Sequence, residues 1–233
     1  MYIIALIPCR SGSKGLPNKN IKNYNGLPLI AHSILLAKKC KFFNKVYVTT
    51  DSLKYQDIAL QYGANILDLR PKEISDDLSP DIDFFKHFIQ WTIQNNLKIP
   101  DIIVHLRPTY PNRTLELLND CIIQFLNNYE NYDSLRTIVP IKKSPYKMYY
   151  IEKNNLIPYF KNKDQFLEPF NQARQYFPDT YLHNGCIDII KTKIIHENLL
   201  SGQNILPYIM NDMDDIDDLE DFCKSENKLL HDI

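Results

Sequence analysis

The first seven residues are almost wholly apolar and rich in β-branched side chains, the pattern of a strand buried on both faces. From Pro28 to Lys39 the apolar residues Leu29, Ile30, Ile34, Leu35 and Ala37 recur at helical spacing, which predicts an amphipathic helix. Val46 to Thr50 reads as a short strand, and Asp51 is placed to cap a helix from Ser52 to Tyr62 that Gly63 closes. Ala64 to Leu67 makes another short strand. The prolines and clustered aspartates of Arg70 to Asp81 predict an exposed loop. Phe84 to Asn95 is an amphipathic helix with Phe84, Phe85, Phe88 and Trp91 turned inward, and Asp101 to Leu106 is the next buried strand. A helix to about Asn127 follows, then strand-like Leu135 to Pro140. After an irregular stretch, Gly185 to Ile190 and Ile205 to Met210 alternate again, and Asp217 to Leu230 makes a closing helix.

Strands alternating with helices predict a three-layer α/β fold: a Rossmann-like, mostly parallel sheet with helices on both faces. Ligands of such sheets bind beyond the carboxyl ends of the strands. Arg10, Asp51 and Arg107 each fall just after a predicted strand. Between residues 145 and 175 tyrosines and prolines crowd in and the apolar period fades, leaving a stretch that an isolated chain would find hard to bury. The expectation is a single domain over 1–233, with 145–175 inserted as a dimerisation arm that packs on a second copy.

Composition narrows the classes. A formal charge of −1 lacks the basic excess of a nucleic-acid or membrane-surface protein. No apolar run approaches the roughly 20 residues that span a bilayer, and Arg10 interrupts the first apolar stretch too early for a secretory signal. Cysteines 9, 40, 121, 186 and 223 are odd in number and scattered, which reads as reduced thiols in a cytoplasmic protein.

Two stretches carry candidate chemistry. Ile7 to Ile21 puts Arg10, Lys14 and Lys19 into a loop where Gly12 and Gly15, with Ser11 and Ser13, let the backbone curl so that several N–H groups point one way. Such a loop at the end of a central strand is a cradle for a polyanion, and a nucleoside triphosphate suits it. Gly12-Ser13-Lys14-Gly15 has neither the Walker spacing nor the three glycines of a dinucleotide fingerprint. The second stretch, Asp212 to Asp221, holds seven acids in ten residues. Acids at a helix start are stabilised by its dipole, and Asp217 or Asp218 is a fair cap. Capping needs only one or two of them. Asp215 and Asp217 alternate around Ile216, so in extended backbone they share a face. A pair of carboxylates facing a phosphate loop can hold Mg²⁺.

Cys9-Arg10, Ser13-Lys14-Gly15, Pro17 and Lys19-Asn20 resemble the signature of the acylneuraminate cytidylyltransferase family, the CMP-sialic acid synthetases and their relatives, with Cys9 where alanine is usual. Asp215-Ile-Asp217 followed by Asp221-Phe222 resembles the family's closing motif. Between them Val48-Thr-Thr-Asp51, Arg70-Pro71 with Asp77, Leu106 to Arg113, Arg174-Gln175, Tyr181 and Asn184-Gly185 resemble further family marks in the right order. The likeness covers nearly the whole chain.

The resemblance implies a GT-A-like nucleotidyltransferase fold and transfer of CMP from CTP to the anomeric hydroxyl of a 3-deoxy-ulosonic acid, with release of pyrophosphate. By similarity Arg10, Lys14 and Lys19 act catalytically, and with Ser11, Gly12, Ser13, Asn20, Arg70 and Asp77 hold CTP. Asp215 and Asp217 bind catalytic Mg²⁺. Arg107, Thr109, Lys147, Arg174, Gln175, Asn184 and Asp188 are the candidates for the sugar pocket. Two departures fall on that side: Arg107 replaces a sugar-contacting glutamine, and Asp188 stands where relatives have tyrosine. They point to a sialic-acid-like nonulosonic acid other than N-acetylneuraminate, or a shorter ulosonic acid. Alternatively they pair with each other, as buried charges must. A cytidylyltransferase for a phosphorylated polyol, or an idle nucleotide-binding homologue, remains the competing reading.

Overall fold

The computed structural model describes residues 1–211 and 213–231. In chain order the elements are β1 (Ile3–Pro8), β2 (Asn23–Tyr24), β3 (Leu27–Pro28), α1 (Leu29–Lys39), β4 (Lys45–Thr49), α2 (Leu53–Gln61), β5 (Asn65–Ile66), α3 (Asp81–Gln94), β6 (Ile102–His105) and α4 (Leu115–Asn127). Then come β7 (Ser134–Ile141), β8 (Tyr149–Glu152), β9 (Asn155–Pro158), β10 (Thr180–Lys191), α5 (Thr192–His196), β11 (Ile205–Ile209) and α6 (Leu219–His231). They fall into two compact units, one of Met1–Thr137, Gly185–Tyr208 and Asp214–Ile233, the other of Ile138–Asn184 and Ile209–Met213.

The seven-stranded sheet has the order β11-β7-β10-β6-β1-β4-β5. β1 sits near its middle because its run has no polar face to offer water: Ile4, Ala5, Leu6 and Ile7 are all 0% exposed. Ile4 and Leu6 join a core with Phe84, Phe85 and Phe88 of α3 and Ile194 and Ile195 of α5. The alternate residues Ile3, Ala5 and Ile7 face the other side of the pleat and are equally buried, so both faces are covered. β6, β1, β4 and β5 are mutually parallel, with Leu6 opposite both Tyr47 and His105. β10 runs antiparallel beside β6 and places Asp188 opposite His105.

Local rules misjudge three details. Asp51 does not cap α2. Its Oδ1 accepts from the Ser11 N–H and its Oδ2 from the Ser11 hydroxyl, both at 2.8 Å, so it ties the cation loop to β4. The aromatic helix α3 begins at Asp81, inside the supposed loop. Arg70, expected on that loop's surface, is buried: its Nη2 donates to the Thr49 carbonyl at 3.1 Å, and its guanidinium lies 5.4 Å from the centre of the Phe84 ring. Burial lowers its pKa against the opposing pull of Asp51.

In the second unit β8 and β9 form a hairpin whose turn, Lys153 and Asn154, has both residues in the left-handed region at φ 47° and 64°. All of residues 145–175 belong to this unit. The hairpin and its neighbours expose Tyr150, Ile151, Leu156, Tyr159, Phe160 and Leu167. The five cysteines are free thiols, four of them buried. Among the described residues no helix is long and apolar enough to cross a membrane.

Candidate active site

Within the first unit, the carboxyl ends of β1 and β6 open onto a cavity of about 410 Å³. Of the residues singled out in the sequence, Arg10, Ser13, Lys14, Lys19, Asn20, Arg70, Asp77, Arg107, Thr109 and Asp217 line it. Cations from the start of the chain and an acid from its end therefore share one cavity. Two contacts clamp them. Lys19 Nζ donates to the Ile216 carbonyl at 2.6 Å and lies 3.8 Å from the Asp217 carboxylate. A side chain at Gly15 would put its Cβ 2.6 Å from the Asp217 carbonyl oxygen, so this glycine lets the two segments touch.

The cation loop is organised by acids. Asp77 pairs through one oxygen with Arg10 and through the other with Lys14, each at 2.5 Å. Lys14 first and then Arg10 hold its carboxyl below the ordinary range. Asp77 is thus a counter-ion to two of the loop's cations. Ser11 also differs from expectation. Its N–H and hydroxyl are engaged by Asp51, while the Ser13 N–H donates to the Ser11 carbonyl at 3.1 Å. The cradle therefore owes more to fixed side-chain cations than to a nest of N–H groups. Asn20, 6% exposed, donates to the Arg10 carbonyl at 3.0 Å and holds the loop's shape.

The acid run sorts by partner. Asp212 lies outside the described residues. Asp214 is buried, accepting from Asn112 at 2.7 Å and from Ser225 at 2.9 Å, with Lys228 at 3.0 Å from its other oxygen. Asp218 caps α6 by accepting from the Asp221 N–H at 2.9 Å, and Asp221 accepts from the Asp217 N–H at 3.2 Å. Glu220 pairs with Lys224 one turn on, at 2.5 Å. Among the described acids Asp215 and Asp217 remain for chemistry, one on each side of Ile216, whose side chain is wholly buried with Leu16, Tyr24, Leu29 and Phe222. Asp215 Oδ1 is buried without a hydrogen-bond partner. Burial raises the Asp215 carboxyl pKa and the nearby charge of Asp217 adds to it, against a hydrogen bond from the Thr109 side chain.

An orphaned buried carboxylate oxygen beside a second carboxylate fits a hard divalent cation. Among the described residues no group of three or more His, Cys, Asp or Glu could hold a metal ion. The remaining ligands of such an ion would be water and substrate phosphate, the shell that Mg²⁺ favours.

The sugar-side candidates divide. Arg107 and Asp188 do pair, at 2.7 Å, and Arg107 reaches Asp81 at 2.9 Å. Asp188, 2% exposed, sits behind Arg107 and does not itself face the cavity. Lys147, Arg174, Gln175 and Asn184 belong to the second unit. There Arg174 and Gln175 line a separate hollow with Lys142 and Ser144. Asn184 is 1% exposed with its amide 3.2 Å from the Met210 sulfur. Arg113 is also internal: it donates to the carbonyls of Cys186 and Arg107 at 2.8 and 2.9 Å, which fixes the turn after β6. His105 and Asp81 line the cavity without having been singled out. For His105 the one signal was its place as the sole titratable residue at the end of an apolar strand.

A cation-lined cavity at the carboxyl ends of the strands is where an open α/β sheet takes an anionic ligand. The family described as cytidylyltransferase matches residues 4–197, and the chain belongs to that family. It is 34% identical over 227 residues to the N-acylneuraminate cytidylyltransferase of Escherichia coli, covering 94% of this chain and 50% of that protein. This chain thus spans half the length of that relative. To the pseudaminic acid cytidylyltransferase of Campylobacter jejuni it is 28% identical over 239 aligned positions, covering 99% and 98% of the two chains. In fold it resembles a CMP:2-keto-3-deoxy-manno-octonic acid synthetase complexed with CTP, with a TM-score of 0.72, 13% identity and all of both chains covered.

Proposed function

We propose that this protein transfers CMP from CTP to the anomeric hydroxyl of a sialic-acid-like 3-deoxy-ulosonic acid. The reading is carried by one observation: in a cytidylyltransferase-family chain, Arg10, Lys14 and Lys19 share a cavity with Asp217, and Asp215 adjoins it. Chemically, the anomeric oxygen forms a bond to the α-phosphorus as the bond to the β-phosphate oxygen breaks. Pyrophosphate leaves, and the hydroxyl proton passes to water. Catalysis of such a displacement is positioning plus charge neutralisation. Lys19, held by the Ile216 carbonyl, is fixed against the acid segment, while Arg10 and Lys14 exchange Asp77 for the triphosphate. Asp215 and Asp217 are the residues that would hold Mg²⁺, which lowers the pKa of an attacking hydroxyl and offsets phosphate charge.

Residues 145–175 are read as a dimerisation arm. Ile151 is 76% exposed, Leu156 65% and Leu167 80%, and an isolated two-stranded hairpin is at best marginally stable in water. A second copy of the chain would bury this surface. The free thiols and the CTP requirement fit a cytoplasmic enzyme.

The deciding experiment incubates purified protein with CTP, Mg²⁺ and two acceptor pools, ulosonic acids and phosphorylated polyols. Mass spectrometry should find a CMP-ulosonate and pyrophosphate from the first pool only. A cytidine diphosphate-polyol, or CTP binding with no turnover of any acceptor, would overturn the assignment. Sedimentation velocity of the same sample should give a two-chain species, and a single chain at micromolar concentration would remove the arm's assigned role.

A further inference from the structure

Burial alternates along the acid segment: Asp214 and Ile216 are packed inward, while Asp215 and Asp217 are the more exposed. Both inward residues depend on Tyr24, which is itself 0% exposed. Ile216 shares an apolar cluster with Leu16 of the cation loop, with the Tyr24 ring and with Phe222, whose ring meets that of Tyr24 edge-on at 5.3 Å. The Tyr24 hydroxyl donates to Asn112 Oδ1 at 3.0 Å and lies 2.9 Å from Ser225 Oγ. Asn112 Nδ2 and Ser225 Oγ in turn donate to Asp214 Oδ2, at 2.7 and 2.9 Å. Tyr24 follows the cation loop, Asn112 follows β6 and Ser225 lies on α6. Three separate segments therefore converge behind one carboxylate, next in the chain to Asp215.

We propose that Tyr24 and Asn112 are positioning residues for the divalent cation, acting through Asp214 on the Asp215–Asp217 pair. This rests on the function proposed above, in which that pair holds Mg²⁺. An amide has a donor end and an acceptor end. Because the Tyr24 hydroxyl takes the Asn112 oxygen, the amide nitrogen is left facing Asp214; turned round, the amide would set oxygen against a carboxylate. With Asp214 held by this amide and Ile216 by the apolar cluster, the inner edge of the segment is fixed, and the carboxylates of Asp215 and Asp217 are fixed with it. Tyr24, Asn112 and Asp214 do not line the cavity, so their effect on a ligand passes through the acid segment. Arg10 and Lys14 pair with Asp77, outside this network, and their hold on phosphate is independent of it. Groups that orient metal-binding side chains are worth about 10–100-fold in metal affinity.

The test is calorimetric titration of the protein with CTP, without acceptor, once in excess EDTA and once in saturating Mg²⁺. Wild type should bind CTP more tightly with Mg²⁺ than without, and Asp215→Asn should lose that gain. Tyr24→Phe keeps the ring and removes only the hydroxyl. It should lower the affinity in Mg²⁺ about tenfold, while the affinity in EDTA stays within about twofold of wild type. Asn112→Asp, which sets a carboxylate against Asp214, should do the same or more. The double variant Asn112→Asp with Asp214→Asn places a donor opposite an acceptor again and should recover most of the loss, a coupling that single changes in a merely structural network would not show. This exchange decides the matter should Tyr24→Phe fold poorly. Equal losses in EDTA and in Mg²⁺, a Mg²⁺ gain that the single variants leave untouched, or no recovery in the double variant would overturn the inference and leave the metal assignment standing. A wild type without the gain, or a gain that survives Asp215→Asn, would remove the metal assignment itself.

Discussion

Asp215→Asn is expected to abolish turnover and at the same time raise the thermal stability of the metal-free protein. Both effects come from the same atoms. One oxygen of the Asp215 carboxylate is buried with no partner, and Asp217 sets a like charge beside it. Its folded-state pKa is therefore above the ordinary carboxylate value, so the unfolded chain gives up this proton more readily. The sign follows: stability is lost as pH rises from the ordinary carboxylate range through the raised value, and at neutral pH the charge is a standing cost. Asparagine keeps the shape and removes the charge, at the smaller cost of burying an uncharged amide. A gain of about 1 kcal/mol would shift the melting midpoint of a chain this size by about 2–4 °C. Turnover should fall at least about a hundredfold, since even outer partners of a metal site are worth 10–100-fold. Differential scanning calorimetry without metal, paired with a pyrophosphate-release assay, measures both. Near-normal turnover would remove the metal assignment, and a lowered midpoint would mean that the carboxylate has a stabilising partner.

Gly15→Ala should cost about a hundredfold in kcat with only a small change in stability. An added methyl would lie 2.6 Å from the Asp217 carbonyl oxygen, a backbone atom that cannot swing aside. Gly15 is not among the residues with positive φ, so backbone strain adds nothing and the cost is steric. To make room, the cation loop and the Asp215–Asp217 segment must separate, stretching the 2.6 Å contact from Lys19 to the Ile216 carbonyl. Misplacing reacting groups by about 1 Å can cost about a hundredfold in rate. Gly12, in the same loop, has nothing within 4 Å of such a methyl, so the close approach belongs to Gly15 alone. Single-turnover kinetics with saturating CTP would show the loss. A wild-type rate would mean that the two segments part without consequence.

Readings made from neighbours in the sequence held where the cause was local. β1 was legible because seven apolar residues leave no polar face, and α3 because its aromatics repeat at helical spacing. Asp218 caps α6 as an acid at a helix start should. Where the partner lies far along the chain, local rules picked the wrong one. Asp51 stands next to a helix start, yet its partner is Ser11, forty residues earlier. Arg70 sits in a stretch that composition marks as exposed, yet Thr49 and Phe84 bury it. For Arg107 and Asp188 the sequence left sugar contact and mutual pairing open, and the structure pairs them.

By itself the sequence determined which segments must be buried, which loop carries the cations and which motif carries the acids. Those follow from side-chain polarity and backbone preference, which each residue brings with it. Only the tertiary structure decided which of the six described acids are left for chemistry, why Gly15 rather than Gly12 is sterically required, and that His105 and Arg107 share the Asp188 carboxylate. Those depend on pair distances across some two hundred residues of chain, as between Lys19 and Ile216, and no spacing within a motif encodes them.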